Sequence, residues 1–316
     1  RHERGARPDK ASLDSARTVS QRLYLWENDD RELLLLSVPF EPSATVRERS
    51  VRIFRGMGSR DEPLSRRQVN PLSSVLALEY GIIDDETAMD EILSLSGEGI
   101  PSRLLVRLCS LMGNGKARER MASALDSFAG VLVDDANGDG IVDSTVRYRM
   151  GRAYEASFDR DQDGYADYAV SCELGSPVVI ALARGEGKVS YDGYPFVRAV
   201  ELAGREYTMH PRALSWAPVA WVDEGIALAA KPFYGLILSP PPAPLTERLL
   251  VASAAYYTES AEGVSTRVTL DAGSPVVSET RARGMPYERT VYEKGMPVTG
   301  SRDEDGDGYF ETVIAY

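Results

Sequence analysis

The feature that most constrains this chain is a nine-residue acidic motif that occurs three times. The motif reads D-x-[D/N]-x-D-G-x-x-[D/E] and begins at Asp135, Asp159 and Asp303; we name the copies loop 1 (135–143), loop 2 (159–167) and loop 3 (303–311). Side-chain oxygens stand at positions 1, 3, 5 and 9, and the glycine at position 6 permits the sharp turn that makes them converge. With the backbone carbonyl at position 7, each loop offers the oxygen ligands that a cation the size of Ca²⁺ prefers.

We therefore predict up to three structural calcium sites. Their ligands are Asp135, Asn137, Asp139, Ile141 and Asp143; Asp159, Asp161, Asp163, Tyr165 and Asp167; and Asp303, Asp305, Asp307, Tyr309 and Glu311. The loops are not EF-hands, because position 12 holds valine or isoleucine instead of a bidentate glutamate. Asp-Gly and Asn-Gly are also ordinary turn dipeptides, so a single loop would fit a solvated turn equally well. Three copies that place carboxylates so close together favour a cation, which would relieve the repulsion.

Charge is unevenly distributed along the 316 residues. Residues 1–130 hold 19 basic and 20 acidic residues, whereas residues 131–316 hold 17 and 28. A protein that binds along a phosphate backbone needs a net positive charge, so this excess of acidic residues disfavours nucleic acid as a partner.

Residues 11–129 carry helix signals. Asp84 and the two acids that follow it open a predicted helix over Thr87–Leu95, where negative charge complements the helix dipole. The Gly113-Asn114-Gly115 turn separates the next two predicted helices. A strand is an alternative for Glu32–Phe40. We predict an α-helical hairpin domain of solenoid-like type, which resembles a degenerate tetratricopeptide array.

After residue 129 the pattern changes to the period of two that is typical of strands, for example Val264, Thr266, Val268 and Leu270. A Gly-x-Pro sequence recurs between these segments, beginning at Gly175, Gly193, Gly273, Gly284 and Gly295. Together these features predict an α+β protein, whose second part is an antiparallel β-meander of hairpin repeats with the calcium loops at turns. The repeats would occupy 130–238 and 245–316, with a proline-rich spacer over 239–244.

The strand–loop–strand unit resembles the Asp-rich hairpin repeats of bacterial extracytoplasmic proteins and lipoproteins. The segment from Tyr148 through Gly151 to Tyr165 matches, position for position, the segment from Tyr292 through Gly295 to Tyr309. The loops alone also resemble those of thrombospondin type 3 repeats and integrin-type propeller blades. The resemblance implies calcium-dependent structure, a location outside the cytoplasm and no enzymatic activity.

Other reactive groups are scarce. The two cysteines, Cys109 and Cys172, and the two histidines, His2 and His210, do not make a zinc motif, and one disulfide or none remains open. Glu201, Glu206, Asp223 and Glu224 have the pattern of solvated strand acids, and no nucleophile–base pair is present, so we expect no enzyme and no small-molecule substrate. No apolar run is long enough to span a membrane.

Residues 1–10 are polar, and we expect a disordered lead-in there. Arg1 is not an initiator methionine, so we take the chain as a fragment or processed form, and a lipid anchor before Arg1 is left open. We expect a periplasmic or cell-surface scaffold or interaction module whose partner is a protein or another component of the cell envelope.

Tyrosine is abundant, with 16 residues, and Tyr256, Tyr257, Tyr287 and Tyr292 follow strand alternation. We expect cross-strand tyrosine pairs that stabilise the meander. A glycan-binding domain, or an accessory domain of a cell-wall enzyme with a tyrosine-lined sheet face, is the alternative function, and a spacer that holds the helical domain away from a membrane is a third.

Overall fold

The computed structural model describes residues 35, 37–56, 69–113, 115–135, 141–222, 235–238, 244–282 and 287–316. Helices and a large, mainly antiparallel set of strands are both present, so the α+β class is confirmed at this level. The chain divides into two compact units, one formed by 1–153 with 221–236 and the other by 154–220 with 237–316. The predicted lead-in, 1–10, lies outside the described residues.

The α-helices of the first unit whose bounds the structure gives are α1 (Ala44–Gly56), α2 (Pro71–Glu79), α3 (Asp85–Ser94), α4 (Ser102–Leu111) and α5 (Lys116–Asp126). Helix α3 covers most of the predicted Thr87–Leu95, and the side chain of Asp84 caps it by accepting the Thr87 backbone N–H at 2.8 Å. Of Glu32–Phe40, the residues Val38–Phe40 form a 3₁₀ helix rather than a strand. Apolar side chains buried between the helices include Val75, Ala88, Ile92, Leu105, Leu108, Met121 and Leu125.

Strands also lie in the described part of the first unit, and one of them precedes residue 130, where strand alternation begins in the sequence. The short β1 (Ile100–Pro101) runs parallel to β2 (Gly130–Asp134), and β3 (Ser144–Arg149) pairs antiparallel with β2. Phe128, just after α5, lies edge-on to Tyr148 of β3 at 5.7 Å. The aromatic contact joins this strand pair to the helices.

In the described part of the chain, twelve further strands of the sheet pair antiparallel, each with the next, and they lie in the second unit apart from the first two residues of the first strand. They are β4 (Arg152–Phe158), β5 (Tyr168–Glu173), β6 (Ser176–Leu182), β7 (Gly187–Tyr191), β8 (Val197–Leu202), β9 (Arg205–Met209), β12 (Ala254–Ala261), β13 (Val264–Asp271), β14 (Ser274–Ala282), β15 (Tyr287–Glu293), β16 (Met296–Asp303) and β17 (Thr312–Ala315). A separate pair is formed by β10 (Val219–Val222) and β11 (Gly235–Leu238), and α6 is Glu247–Ser253.

Strand β9 pairs directly with β12, with Tyr207 opposite Tyr257. The predicted repeat regions 130–238 and 245–316, which the proline-rich segment divides in the sequence, therefore contribute strands to one sheet. Residues 239–243 of that segment lie outside the described part of the chain.

In the described residues, a recurring tight turn consists of an ordinary residue followed by glycine, both with positive φ, as in a type I′ turn. The six pairs are Met150-Gly151, Leu174-Gly175, Ala203-Gly204, Glu262-Gly263, Ala272-Gly273 and Lys294-Gly295. After Gly175, Gly273 and Gly295, the Gly-x-Pro sequence is followed by a one-residue shift of register. The shift leaves a valine as the extra residue in each case, which is the arrangement of a β-bulge.

Burial changes along this sheet. Strands β4–β8 bury large apolar side chains, among them Phe158, Tyr168, Val170, Ile180 and Val200. By contrast, no apolar side chain of β14–β17 is buried among those the structure describes. These last strands depend on backbone pairing and cross-strand contacts instead of a hydrophobic core.

Candidate metal centres

Loops 2 and 3 occupy equivalent places in the sheet, because loop 2 joins β4 to β5 and loop 3 joins β16 to β17. In loop 2 the backbone N–H of Asp167 donates to the carbonyl of Phe158 at 2.7 Å and closes the turn. Antiparallel strands thus hold both ends of each loop, and the side chains within nine residues are brought together.

Loop 3 gathers four carboxylates. One oxygen each of Asp303, Asp305, Asp307 and Glu311 lies within 4.8 Å of the others. Asp303 is only 3 % exposed, and its two oxygens accept the backbone N–H groups of Gly306 at 2.7 Å and Gly308 at 3.0 Å. Such a set of hard oxygens fits Ca²⁺, which takes six to eight oxygen ligands.

Loop 2 gathers three carboxylates, those of Asp159, Asp161 and Asp163, within the same distance. Asp159 Oδ2 accepts the Gly164 backbone N–H at 3.2 Å, and Asp163 Oδ1 accepts that of Tyr165 at 2.8 Å. Asp159 Oδ1 is buried and has no hydrogen-bond partner. A buried carboxylate oxygen without a partner carries a large desolvation cost, and a cation would remove it.

The glycine at position 6 has the left-handed backbone conformation that the sharp turn requires. Gly164 and Gly308, which hold that position, have φ of +86° and +95°. Position 4 is also left-handed, with φ of +57° at Gln162 and +79° at Gly306. The two loops therefore have the same sequence of backbone conformations at these positions.

The acids at position 9 behave differently in the two loops. Each accepts the backbone N–H of the residue at position 2: Arg160 donates to Asp167 Oδ2 at 3.0 Å, and Glu304 donates to Glu311 Oε2 at 2.7 Å. Glu311 also belongs to the converging group, whereas Asp167 does not. Of the predicted ligands in loop 2, Asp167 is thus the acid that the structure does not bring together with the others.

Loop 1 is described only at its ends, since residues 136–140, including Asn137 and Asp139, lie outside the described part. The N–H of Asp143 donates to the carbonyl of Asp134 at 3.0 Å, which is the same closing bond that loop 2 makes. Asp143 is 2 % exposed, while the Ile141 side chain points to solvent. The ligand roles of Asp135, Ile141 and Asp143 remain predictions.

The tyrosines at position 7 have exposed side chains, 66 % for Tyr165 and 77 % for Tyr309. Their predicted ligand is the backbone carbonyl, and that role stays a prediction as well. One acid near loop 2 was missed by sequence reasoning: Glu186 follows the 3₁₀ turn after β6 and lines a cavity with Asp161 and Asp163. No sequence signal marks Glu186, because it lies 19 positions after the end of loop 2.

Arginines lie over three of the strand tyrosines. The guanidinium of Arg267 lies 3.8 Å from the ring centroid of Tyr256, Arg205 lies 5.3 Å from Tyr257, and Arg281 lies 4.6 Å from Tyr287. The Tyr207 and Tyr257 rings contact each other across β9 and β12 at 5.7 Å. These cation–π and aromatic contacts are cross-strand interactions of the stabilising kind.

The remaining candidates do not form a site in the described residues. Glu201 and Glu206 face each other across β8 and β9, and Asp223 and Glu224 lie outside the described part. Both cysteines are free thiols, and burial raises the pKa of Cys109 to about 12 and that of Cys172 to about 11. Among the helices that the structure describes, none has the length and apolar character to cross a membrane.

The chain is similar to a longer protein. A protein of Treponema pallidum (strain Nichols), described only as uncharacterized, is 26 % identical to this chain over an alignment of 430 positions. The alignment covers 99 % of the chain but 54 % of the relative, so the chain spans about half of the relative's length. No protein-family model matches the chain, and no solved structure matches it.

Proposed function

We propose that this chain is a non-enzymatic, calcium-binding scaffold or interaction module that acts outside the cytoplasm, with Ca²⁺ in a structural role at the hairpin turns. The observation that carries the proposal is the shared geometry of loops 2 and 3, in which carboxylates converge and one buried oxygen, Asp159 Oδ1, lacks a partner. Millimolar extracellular calcium suits sites of this class, whose affinity is expected to be weak.

The last strands of the sheet are the part of the fold that bound calcium would stabilise. Because β14–β17 bury no apolar side chain in the described residues, their stability depends on local contacts and on the turns that join them. A cation that binds only the folded loop stabilises the fold in proportion to its concentration relative to the dissociation constant.

The finer architecture belongs to the same proposal. We interpret the strands as degenerate hairpin repeats and the helices of the first unit as a solenoid-like hairpin array. A protein or another component of the cell envelope is the proposed partner. The alternative of glycan stacking on strand tyrosines is less well supported, because arginines cover one face of Tyr256, Tyr257 and Tyr287.

Calorimetric titration of Ca²⁺ into chelator-treated protein, with thermal melts in parallel, tests the proposal. We expect two to three binding events and a rise in Tm with Ca²⁺. The double variants Asp161→Asn with Asp163→Asn and Asp305→Asn with Asp307→Asn change equivalent positions, and each is expected to lose one binding event.

The matched control is Glu201→Gln with Glu206→Gln, which removes two strand acids outside the loops and should leave calcium binding unchanged. If the wild-type chain shows neither heat nor a Tm shift, the loops are plain turns, and the argument for an extracytoplasmic location is lost with them.

A further inference from the structure

At position 9 the two described loops differ by one methylene group, and the structure places the two acids differently. Asp167 and Glu311 both bind the backbone N–H of position 2 through one oxygen. The longer Glu311 still contributes an oxygen to the acidic group, whereas Asp167 does not. Loop 2 therefore offers a cation one protein carboxylate fewer than loop 3.

A cavity of about 200 Å³ lies beside loop 2. Asp161, Asp163 and Asp167 line it together with Glu186 and the exposed Tyr165. Asp159 Oδ1, the buried oxygen without a partner, belongs to the same loop, and a cation bound by the loop would satisfy it, although Asp159 itself does not line the cavity.

We propose, on the basis of the calcium function above, that loop 2 is an open site and loop 3 a closed one. The cation in loop 2 completes its shell with exchangeable oxygens on the cavity side, and these belong to water or to a neutral ligand with adjacent hydroxyl groups, such as a sugar.

The charge of the cavity selects this ligand class. Four carboxylates line it, so an anionic ligand meets repulsion. A vicinal diol is neutral, its oxygens suit a hard cation, and its hydroxyl hydrogens can donate to Asp167 and Glu186. The exposed Tyr165 ring provides an apolar surface beside it.

Terbium luminescence tests the open site directly. Tb³⁺ occupies calcium-type oxygen sites, nearby tyrosines sensitise its emission, and lifetimes in H₂O and D₂O give the number of bound waters. Two chains are compared in a background that silences loop 1 (Asp135→Asn, Asp139→Asn). One carries Asp305→Asn with Asp307→Asn and retains loop 2, and the other carries Asp161→Asn with Asp163→Asn and retains loop 3.

We expect at least one more bound water in the loop 2 chain than in the loop 3 chain. Asp167→Glu should remove about one water from the former, and Glu311→Asp should add about one to the latter. Methyl α-mannopyranoside, which has adjacent hydroxyl groups, should lower the count in loop 2 and leave loop 3 unchanged.

The outcomes separate the two proposals. If Tb³⁺ binds neither loop, the calcium function itself fails. If it binds both with equal water counts, the calcium function stands and the open site is overturned, and a count that the sugar does not change overturns the ligand class. Asp167→Glu and Glu311→Asp in the otherwise wild-type chain give the same comparison should a silenced chain not fold.

Discussion

At the scale of single residues, several turns hold an ordinary residue in a left-handed conformation, which costs free energy. Leu174 has φ of +51° and is 92 % exposed in the turn between β5 and β6. A left-handed conformation costs an ordinary residue about 1–2 kcal/mol, and asparagine is among the few residues that tolerate it. Because the Leu174 side chain is exposed, its burial does not offset this cost.

Leu174→Asn is accordingly expected to stabilise the protein by about 1 kcal/mol, which corresponds to a rise in Tm of roughly 2–4 °C. Thermal melts measure the change. Leu174→Ala is the control, because alanine shortens the side chain without favouring positive φ. An equal gain from alanine would assign the effect to the lost apolar surface instead of the backbone.

Gly151 and Gly295 stand at equivalent turn positions with φ of +66° and +77°, but their surroundings differ. A Cβ at Gly151 would lie 2.6 Å from the carbonyl oxygen of Leu125, while a Cβ at Gly295 would meet no atom within 4 Å. Gly295→Ala should therefore cost about 1–2 kcal/mol for backbone strain alone. Gly151→Ala should cost roughly 3 kcal/mol or more, since overpacking adds to the strain; equal costs in urea denaturation would contradict this account.

At the scale of elements, an ion pair joins helices α1, α2 and α3. Both terminal nitrogens of Arg55 donate to Glu91, at 3.0 and 2.6 Å, and Ser74 Oγ donates to the same carboxylate at 2.6 Å. Burial alone would raise the pKa of Glu91, but the hydrogen bonds from Arg55 and Ser74 outweigh it and lower the pKa below the ordinary value of 4.5.

Glu91→Gln is expected to cost roughly 1.5–3 kcal/mol of unfolding free energy at neutral pH. Because the folded pKa lies below the unfolded one, this stabilisation is complete above pH 4.5 and is lost as the pH falls through the lowered pKa. The difference between variant and wild type should thus shrink in acid. Glu48→Gln, which breaks the exposed pair with Arg52, is the control and should change stability by no more than about 0.5 kcal/mol.

At the scale of the whole molecule, charge and burial together explain why metal would matter most in the second part. Residues 131–316 have a net charge of −11, and three Ca²⁺ ions would change it to −5. The same part includes β14–β17, which the hydrophobic core does not support in the described residues.

Hydrogen exchange with and without chelator measures this dependence. We expect chelation to speed amide exchange in β15–β17 by about tenfold, which corresponds to roughly 1.4 kcal/mol of local stability, and to affect β6–β8 less. In the variant Asp305→Asn with Asp307→Asn, the exchange of β16 and β17 should no longer respond to calcium. A uniform change over all strands would show that calcium acts on global unfolding instead.

The sequence by itself determined the features that depend on residues close together in the chain. The Asp84 cap, the glycine turns and the convergence of Asp303, Asp305, Asp307 and Glu311 all arise within ten residues. Local backbone geometry decides such features, so spacing and residue type suffice to predict them.

Only the tertiary structure decided the rest. The pairing of β9 with β12, the place of Glu186 beside loop 2 and the lack of buried apolar groups in β14–β17 depend on residues distant in sequence. The different placement of Asp167 and Glu311 also required coordinates, because both accept the N–H of position 2 but only Glu311 belongs to the acidic group. Strand alternation predicts two faces for each strand, but what covers those faces is set by long-range packing.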